Sequence, residues 1–254
     1  MNEIVKHLQS HASVRAFTDK EISREDEDTI IATAQHSSTS SNRQAYSIIG
    51  IRDSKKKETL AELTGNQQHV LDSSLFLVFC ADLHRLEMIN KKKGYETHSD
   101  YTEMFIIATV DASLVAERAL ITAQALGLGG VMVGGIRNNP DKVSDLLSLP
   151  QLVYPVMGMS LGYPQKAPKV KPRLSSNAIY HREAYSETDI EKYIFEYDKT
   201  ISKIGYLQGR EVLVKKYPNY DGEYSWSEHT ARRHAEIVRP HMKPFLENKG
   251  FLKK

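Results

Sequence analysis

Three polar side chains that could bind a phosphate group stand two residues apart near the start of the chain: His11, Ser13 and Arg15. If the segment is extended, alternate side chains point to the same face, so these three line one surface over about 13 Å. An imidazole, a hydroxyl and a guanidinium fork are donors that suit a phosphate ester. The segment is therefore a candidate phosphate-binding site, and the alternative is an exposed turn after a short helix.

A second polar stretch runs through residues 37–42, with the sequence Ser-Ser-Thr-Ser-Ser-Asn. Such a cluster is typical of a solvated loop. It is equally typical of a loop whose hydroxyls and amides surround a ligand. Ser38, Thr39 and Ser40 are therefore candidate ligand contacts.

The glycine-rich segment 126–139 is the third candidate. Residues 131–133 predict a short strand, and Gly134-Gly135 follow it without side chains, so backbone N–H groups there can approach a flat ligand. The segment does not match G-x-G-x-x-G, because Met132 stands three residues after Gly129 and no strand precedes it. A Rossmann dinucleotide site is therefore not supported.

A proline-rich basic arm occupies residues 164–173 and ends in Lys171-Pro172-Arg173. Its prolines favour an extended backbone rather than a helix. The arm is either a linker or a second phosphate clamp. A nucleic-acid interface is the weaker interpretation, because no aromatic residue is interleaved with the basic ones between Tyr163 and Tyr180.

Composition restricts the class of protein. The chain has 254 residues, 40% of them hydrophobic, and a net charge of +2, which creates no strong field for nucleic acid. Its one cysteine, Cys80, lies in an apolar run that predicts a core position, and a single cysteine suits a reducing compartment. No signal peptide, membrane-spanning run or metal-ligand pattern is recognisable. We expect a cytoplasmic protein that binds neither membranes nor nucleic acid.

Hydrophobic periodicity predicts the elements that must position these groups. Strands are predicted at 45–52, 74–81, 131–133 and 156–161. Helices are predicted at 4–8, 23–34, 55–63, 83–93, 140–147 and 187–204. The longest helix is predicted to be capped by Asp111, and the last to be capped by Ser227 and broken at Pro240 and Pro244. We assign residues 1–163 to a ligand-binding core and 164–254 to an extension of the same domain, whose helices are expected to pack on a partner subunit.

Taken together and in this order, the motifs resemble the flavin-dependent nitroreductase family, closest to its NADPH-dependent oxygen-insensitive nitroreductase and FMN reductase branch. The resemblance runs from about residue 3 to the C-terminus. The motifs are His11-x-Ser13-x-Arg15-x-Phe17, the loop at 38–41, Gln67, the block 127–139, Lys171-Pro172-Arg173 and Trp226-Ser227-Glu228.

The resemblance implies an α+β fold in which helices surround a small, mainly antiparallel sheet. It also implies a homodimer, wrapped by the C-terminal helical extension, with two FMN molecules at the interface. The implied FMN contacts are His11, Ala12, Ser13, Val14, Arg15, Ser38, Thr39, Ser40, Gln67, His69, Met132, Gly134, Gly135, Lys171 and Arg173.

The implied chemistry resides on the cofactor rather than on a catalytic side chain. Hydride would pass by ping-pong turnover from NADPH, or NADH, to flavin N5 and on to nitroaromatics, quinones or free flavins. Arg15 or Lys171 would stabilise negative charge at N1 and O2, and Arg210 would bind the nucleotide 2′-phosphate. His69 and Met132 stand where relatives often carry tyrosine. The alternative is a non-catalytic flavin- or nucleotide-binding sensor in which these two residues close the substrate slot.

Overall fold

The computed structural model describes residues 2–167, 169–220 and 222–254. Its centre is a four-stranded antiparallel sheet in the order β1-β2-β4-β3. The strands are β1 (Tyr46–Ile51), β2 (Leu75–Asp82), β3 (Gly129–Val133) and β4 (Val153–Gly162). Every residue of β2 is buried, as its continuous apolar run predicts. The predicted α+β class is confirmed.

Ten α-helices lie in the described part of the chain. They are α1 (Glu3–Gln9), α2 (Arg24–Ala34), α3 (Ser54–Leu63), α4 (Gln68–Leu71), α5 (His84–Lys93), α6 (Thr102–Ala125), α7 (Pro140–Leu146), α8 (Ile190–Lys203), α9 (Trp226–His234) and α10 (Met242–Asn248). Within the described residues, no helix is both long enough and apolar enough to cross a lipid bilayer.

The two faces of the sheet bury different side chains, because successive residues of a strand point to opposite faces. Leu77 and Met159 belong to the core that contains the apolar stripe of α6, and we call this side the α6 face. Phe76 and Val133 belong to the core that contains Leu60 of α3, and we call this side the α3 face. Cys80 also lies in the α3-face core, where burial raises the pKa of its thiol to about 12, so the predicted core role is confirmed.

The prediction that Asp111 caps the longest helix is wrong. Helix α6 already begins at Thr102, and Asp111 is buried within it. Its carboxylate accepts hydrogen bonds of 3.0 Å from the backbone N–H groups of Ser40 and Ala45. Asp111 therefore fixes the polar loop rather than a helix end, a partnership that local sequence does not reveal.

The predicted start of the last long helix is also wrong. Ser225, not Ser227, is the N-cap of α9, and its hydroxyl accepts from the Glu228 N–H at 3.2 Å. Ser227 instead donates to the Asp198 carboxylate at 2.6 Å. Helix α9 ends before Pro240, and Pro244 lies in the first turn of α10, where proline is tolerated.

The chain forms two compact units, one made of Met1–Lys169 with Arg239–Lys254 and the other of Val170–Val238. The final residues pack with the sheet-containing unit, where the Leu152 N–H donates to the Lys249 carbonyl at 2.8 Å. The assignment of 1–163 and 164–254 to one domain stays a prediction.

Candidate functional site

Residues 11–15 form an irregular segment whose backbone is attached to the edge strand β3. The Val14 N–H donates to the Gly130 carbonyl at 2.9 Å. Ala12 and Val14 are buried, whereas Ser13 and Arg15 are exposed, so the segment alternates as an extended chain does. His11 is half-buried, with its Nδ1 3.0 Å from the Gln124 side-chain nitrogen on α6. The exposed donors of the predicted phosphate site are thus Ser13 and Arg15.

Two glycines that face each other across the sheet allow this segment to pack closely. Gly129 of β3 pairs with Gly162 of β4. A methyl group at Gly129 would lie 2.7 Å from Val14, and one at Gly162 would lie 2.8 Å from Phe17. Neither glycine was among the candidate site residues, although both lie in glycine-containing stretches at strand ends.

A hydrogen-bonded chain of side chains lies beside this segment on the α3 face. The tight turn at Gly65, with φ of 97°, ends α3 and places Gln67 at the start of α4. The Gln67 amide nitrogen donates to the Thr64 carbonyl at 2.7 Å, and its oxygen lies 3.0 Å from His69 Nε2. His69 Nδ1 lies 3.1 Å from the Ser160 hydroxyl on β4.

His69 is electrically neutral in this environment. Burial, and next the positive charge of Arg15, lower the pKa of its imidazole from the usual 6.5, while Asp72 opposes the shift. Because the positive charge of Arg15 acts on the His69 imidazole, the two side chains are near each other. Arg15, Gln67 and His69 therefore form one group, and sequence reasoning selected all three.

The two adjacent glycines after β3 have different roles. A methyl group at Gly135 would collide with the Thr64 carbonyl and the Gln67 amide, so Gly135 is required by packing. A methyl group at Gly134 would meet only Arg137, at an ordinary 3.5 Å. Space for a ligand to approach the backbone therefore exists at Gly134 and not at Gly135.

The structure does not bring Met132 and His69 together. Met132 pairs with Met159 and packs against the α6-face core, whereas Ser160, the partner of His69, pairs with Val131. Consecutive strand residues point to opposite faces, so Met132 and Ser160 lie on opposite sides of the sheet. The contact of Met132 with a ligand stays a prediction.

The loop that contains Ser38, Thr39 and Ser40 is anchored elsewhere in the sheet-containing unit. Positive φ values of 49° at Ser41 and 53° at Gln44 indicate a strained backbone, which the buried Asp111 holds in place. Asp111 and Gln124, the partner of His11, are about 20 Å apart along α6 at 1.5 Å per residue. Within one chain, this loop and the Arg15 group are therefore separate.

The remaining predicted contacts lie in the unit Val170–Val238. Lys171 Nζ donates to the Tyr206 hydroxyl at 2.8 Å, and the Arg210 guanidinium lies 4.8 Å from the centre of the same ring. Arg173 donates weakly to the Lys171 carbonyl at 3.4 Å. Two of the predicted cations, Lys171 and Arg210, thus converge on one tyrosine.

Sequence reasoning missed Arg232, which orders the loop between α8 and α9. Its side chain is 5% exposed and donates to the carbonyls of Tyr217 at 2.8 Å and Asn219 at 2.7 Å. Its position in the last turn of α9 was the only available signal.

The donors on the α3 face suit a ligand that is anionic at one end and flat and polar-edged at the other. Ser13 and Arg15 supply a hydroxyl and a guanidinium, Gln67 an amide, and Gly134 an unobstructed backbone. FMN has this chemistry, so the residues fit the cofactor that the resemblance implies. Within the described residues, no cluster of three or more His, Cys, Asp or Glu side chains could hold a metal ion.

Comparison with known proteins gives a consistent result over the whole chain. Residues 8–163 match the description "Nitroreductase family", and residues 171–254 match "Nitroreductase family, C-terminal domain". The chain is 38% identical to the FMN reductase (NADPH) of Bacillus subtilis (strain 168), with 100% of both chains covered. It is 35% identical to the oxygen-insensitive NADPH nitroreductase of Salmonella typhimurium, with 99% of both covered.

A solved structure extends this similarity to three dimensions. The NADPH:FMN oxidoreductase from Vibrio harveyi, complexed with NAD+, superposes with a TM-score of 0.87 at 34% identity, with 100% of both chains covered. The structural similarity and the sequence similarity thus both extend over the full length of the chain. The chain therefore belongs to the nitroreductase family, as its ordered motifs predict.

Proposed function

We propose that the chain is an FMN-dependent NAD(P)H oxidoreductase that reduces free flavins, nitroaromatics or quinones. The observation that carries the proposal is the group formed by Arg15, Gln67 and His69 beside the open backbone of Gly134. The activities of the relatives, an NADPH-dependent FMN reductase and an NADPH nitroreductase among them, indicate the cofactor and the reductant. They do not favour the alternative of a non-catalytic sensor.

In this proposal the protein binds and orients rather than acting as acid or base. FMN, when bound, accepts hydride from the nicotinamide and passes reducing equivalents to the acceptor. Arg15 supplies positive charge, either to the phosphate or to the electron-rich edge of the ring. Gln67 presents a fixed amide. Both nitrogens of His69 are already hydrogen-bonded, so His69 has no role as a proton donor in this arrangement.

A homodimer is part of the proposal, and an apolar stripe on α6 supports it. Ile106, Val110 and Leu114 are four residues apart, on one helix face, and are 47%, 48% and 45% exposed. Such a stripe is normally covered by another protein surface. A second copy could also bring its Ser38–Ser40 loop to the Arg15 group, since one chain keeps the two apart. Lys171 and Arg173 stay predicted FMN contacts that rest on the resemblance.

A cytoplasmic location is the last part of the proposal. NADPH, the reductant in the names of the relatives, is produced and consumed inside cells. The one cysteine, Cys80, is a buried free thiol, which suits a reducing compartment.

Colour and its loss test the proposal directly. Protein purified with FMN is expected to be yellow, to bleach when NADPH or NADH is added under anaerobic conditions, and to recover its colour when a quinone or nitroaromatic is added. Yellow protein that neither nucleotide bleaches would favour the sensor. Protein that neither carries nor takes up FMN would contradict both the enzyme and the flavin sensor.

A further inference from the structure

The side-chain chain on the α3 face has only one consistent direction of hydrogen bonding. The Thr64 carbonyl can only accept, so the Gln67 amide nitrogen must be the group that faces it at 2.7 Å. The Gln67 oxygen is then the atom 3.0 Å from His69 Nε2. Because that oxygen can only accept, Nε2 must carry the hydrogen.

The other ring nitrogen of His69 is determined by the same logic. In a neutral imidazole, Nδ1 then has no hydrogen and must accept. The Ser160 hydroxyl, 3.1 Å away, is its donor. The network thus runs from Ser160 through His69 and Gln67 to the Thr64 carbonyl. The Thr64 carbonyl oxygen and the Gln67 side-chain oxygen can only accept, and together they assign every proton in it.

Burial makes this arrangement difficult to change. His69 is 8% exposed and Ser160 is fully buried, so the reversed tautomer would leave polar atoms facing each other without a hydrogen between them. Of the charged groups that act on the ring, Arg15 disfavours a second proton and Asp72 favours one, and the effect of burial is larger than either. His69 therefore stays neutral and in one tautomer.

We propose that His69 is a positioning residue that, as the Nε2–H tautomer required by the Gln67 oxygen and accepting from Ser160 at Nδ1, holds the Gln67 amide in the orientation in which it meets the flavin. The inference rests on the proposed function, because it assigns a purpose to a side chain of the same site. Gln67 is half-buried and uses one of its two amide hydrogens on Thr64, so its second hydrogen stays available to a ligand. The amide is thereby oriented before the cofactor arrives, which lowers the cost of ordering it on binding.

Two near-isosteric variants separate positioning from simple packing. In His69→Gln the longer side chain places an amide N–H near the position of Nε2. In His69→Asn the amide reaches only the position of Nδ1. We expect His69→Gln to keep FMN affinity within about threefold and His69→Asn to lower it about tenfold, the equivalent of one lost hydrogen bond. Fluorescence titration of the apo-protein measures both, and the flavin absorbance maximum should move only in His69→Asn.

The tautomer itself is measurable without any cofactor. Nitrogen-15 NMR of the apo-protein at pH 7.5 should give a neutral His69 protonated at Nε2. Ser160→Ala removes only the donor to Nδ1, so it should keep the Nε2–H tautomer and lower FMN affinity less than His69→Asn does. Urea unfolding of each variant provides the control for damage to the fold.

Two results would overturn the inference. One is an imidazolium or an Nδ1–H tautomer in the wild-type protein. The other is an equal loss of FMN affinity in His69→Gln and His69→Asn, in step with equal losses of stability, which would assign His69 to packing alone. Wild-type protein without FMN affinity would instead contradict the proposed function, and the NMR result would still decide whether His69 fixes Gln67.

Discussion

Arg15 combines an exposed side chain with a fixed backbone. Its neighbours Ala12 and Val14 are buried, and the Val14 N–H is bonded to β3. The guanidinium is therefore free to meet a ligand, while its attachment point is not free to move. An exposed arginine on a mobile turn would pay a larger entropic cost on binding.

Removal of this guanidinium should weaken FMN binding. We expect Arg15→Ala to cost about 1.5–3 kcal/mol, the range for hydrogen bonds to charged groups. Arg173→Ala should cost a similar amount if the basic arm is the second clamp. The control is Arg24→Ala, whose side chain is exposed on α2 and pairs with Glu27. Titration of each apo-protein with FMN measures the effect, and unchanged affinity in both variants would exclude this clamp.

The neutral state of His69 predicts a dependence of stability on pH. Its pKa in the folded protein lies below the usual 6.5, so below about pH 6.5 the unfolded chain binds a proton that the folded protein does not. The free energy of unfolding should therefore fall as the pH falls from 6.5. The pKa of His229 is shifted in the same direction, so the comparison must isolate His69.

The variant His69→Gln provides that comparison, because glutamine does not titrate. Urea unfolding at pH 7.5 and pH 5.5 should show a smaller loss of stability in the variant than in the wild type. Equal losses would mean that His69 does not contribute to the acid sensitivity of the fold.

Arg210 is the predicted reader of the NADPH 2′-phosphate. Its guanidinium rests against the Tyr206 ring, and Lys215 and Lys216 nearby offer point charges without a bidentate fork. Glu223 opposes a dianionic phosphate. Asp221, the other carboxylate residue of this stretch, lies outside the described residues. The preference for NADPH over NADH should accordingly be modest.

Steady-state kinetics with both nucleotides tests this role. Arg210→Ala should lower the ratio of kcat/KM for NADPH to that for NADH, and Lys215→Ala, the matched control, should lower it less. If Arg210→Ala keeps the wild-type ratio, the selectivity has another origin.

At the scale of elements, the candidate site depends on residues that are not themselves predicted to contact the ligand but hold its segments in place. The Gly129–Gly162 pair removes two side chains from the end of the sheet, so that Val14 and Phe17 can lie against it. Asp111 holds the polar loop in place, because its carboxylate, which projects from helix α6, accepts hydrogen bonds from two backbone N–H groups of that loop and the residue before β1. The segment predicted to bind phosphate thus packs on the edge strand β3 as an additional layer.

A methyl group at Gly129 should displace this layer. It would lie 2.7 Å from Val14, so Gly129→Ala should destabilise the fold by about 1–3 kcal/mol and weaken FMN binding with it. Val14→Ala in the same chain makes room for the methyl group. We expect the double variant to recover part of both losses in urea unfolding and FMN titration. The absence of any coupling between the two substitutions would contradict this account of the glycine.

At the scale of the whole molecule, the exposed stripe on α6 and the separation of the polar loop from Arg15 point to the same requirement. Each chain presents a loop that its own Arg15 group does not reach, together with an apolar surface that a second copy could cover. A homodimer would satisfy both. The wrapping of a partner by the C-terminal extension stays a prediction.

Light scattering should report twice the 28.8 kDa mass of one chain. Val110→Glu introduces a charge into the stripe and should shift the protein toward monomers with reduced FMN affinity. Met88→Glu, at an exposed position on α5, is the control and should leave the dimer intact. A monomeric wild-type protein that keeps FMN would contradict both the dimer and a site completed by the partner.

The sequence by itself determined the local elements and the family. The apolar run of β2, the Ser23 cap of α2 and the left-handed Gly94 that ends α5 depend on neighbours within a few residues, and such signals can be read from the chain. The ordered motifs identified the nitroreductase family, and the ligand contacts that they imply stay predictions.

Only the tertiary structure decided which of those contacts can act together. Strand register sends Met132 to one face of the sheet and Ser160, with His69, to the other. Asp111 appeared to be a helix cap because its partners, Ser40 and Ala45, are more than sixty residues away in the sequence. Periodicity records which side chains are buried but not what they are buried against, because that depends on how distant segments pair.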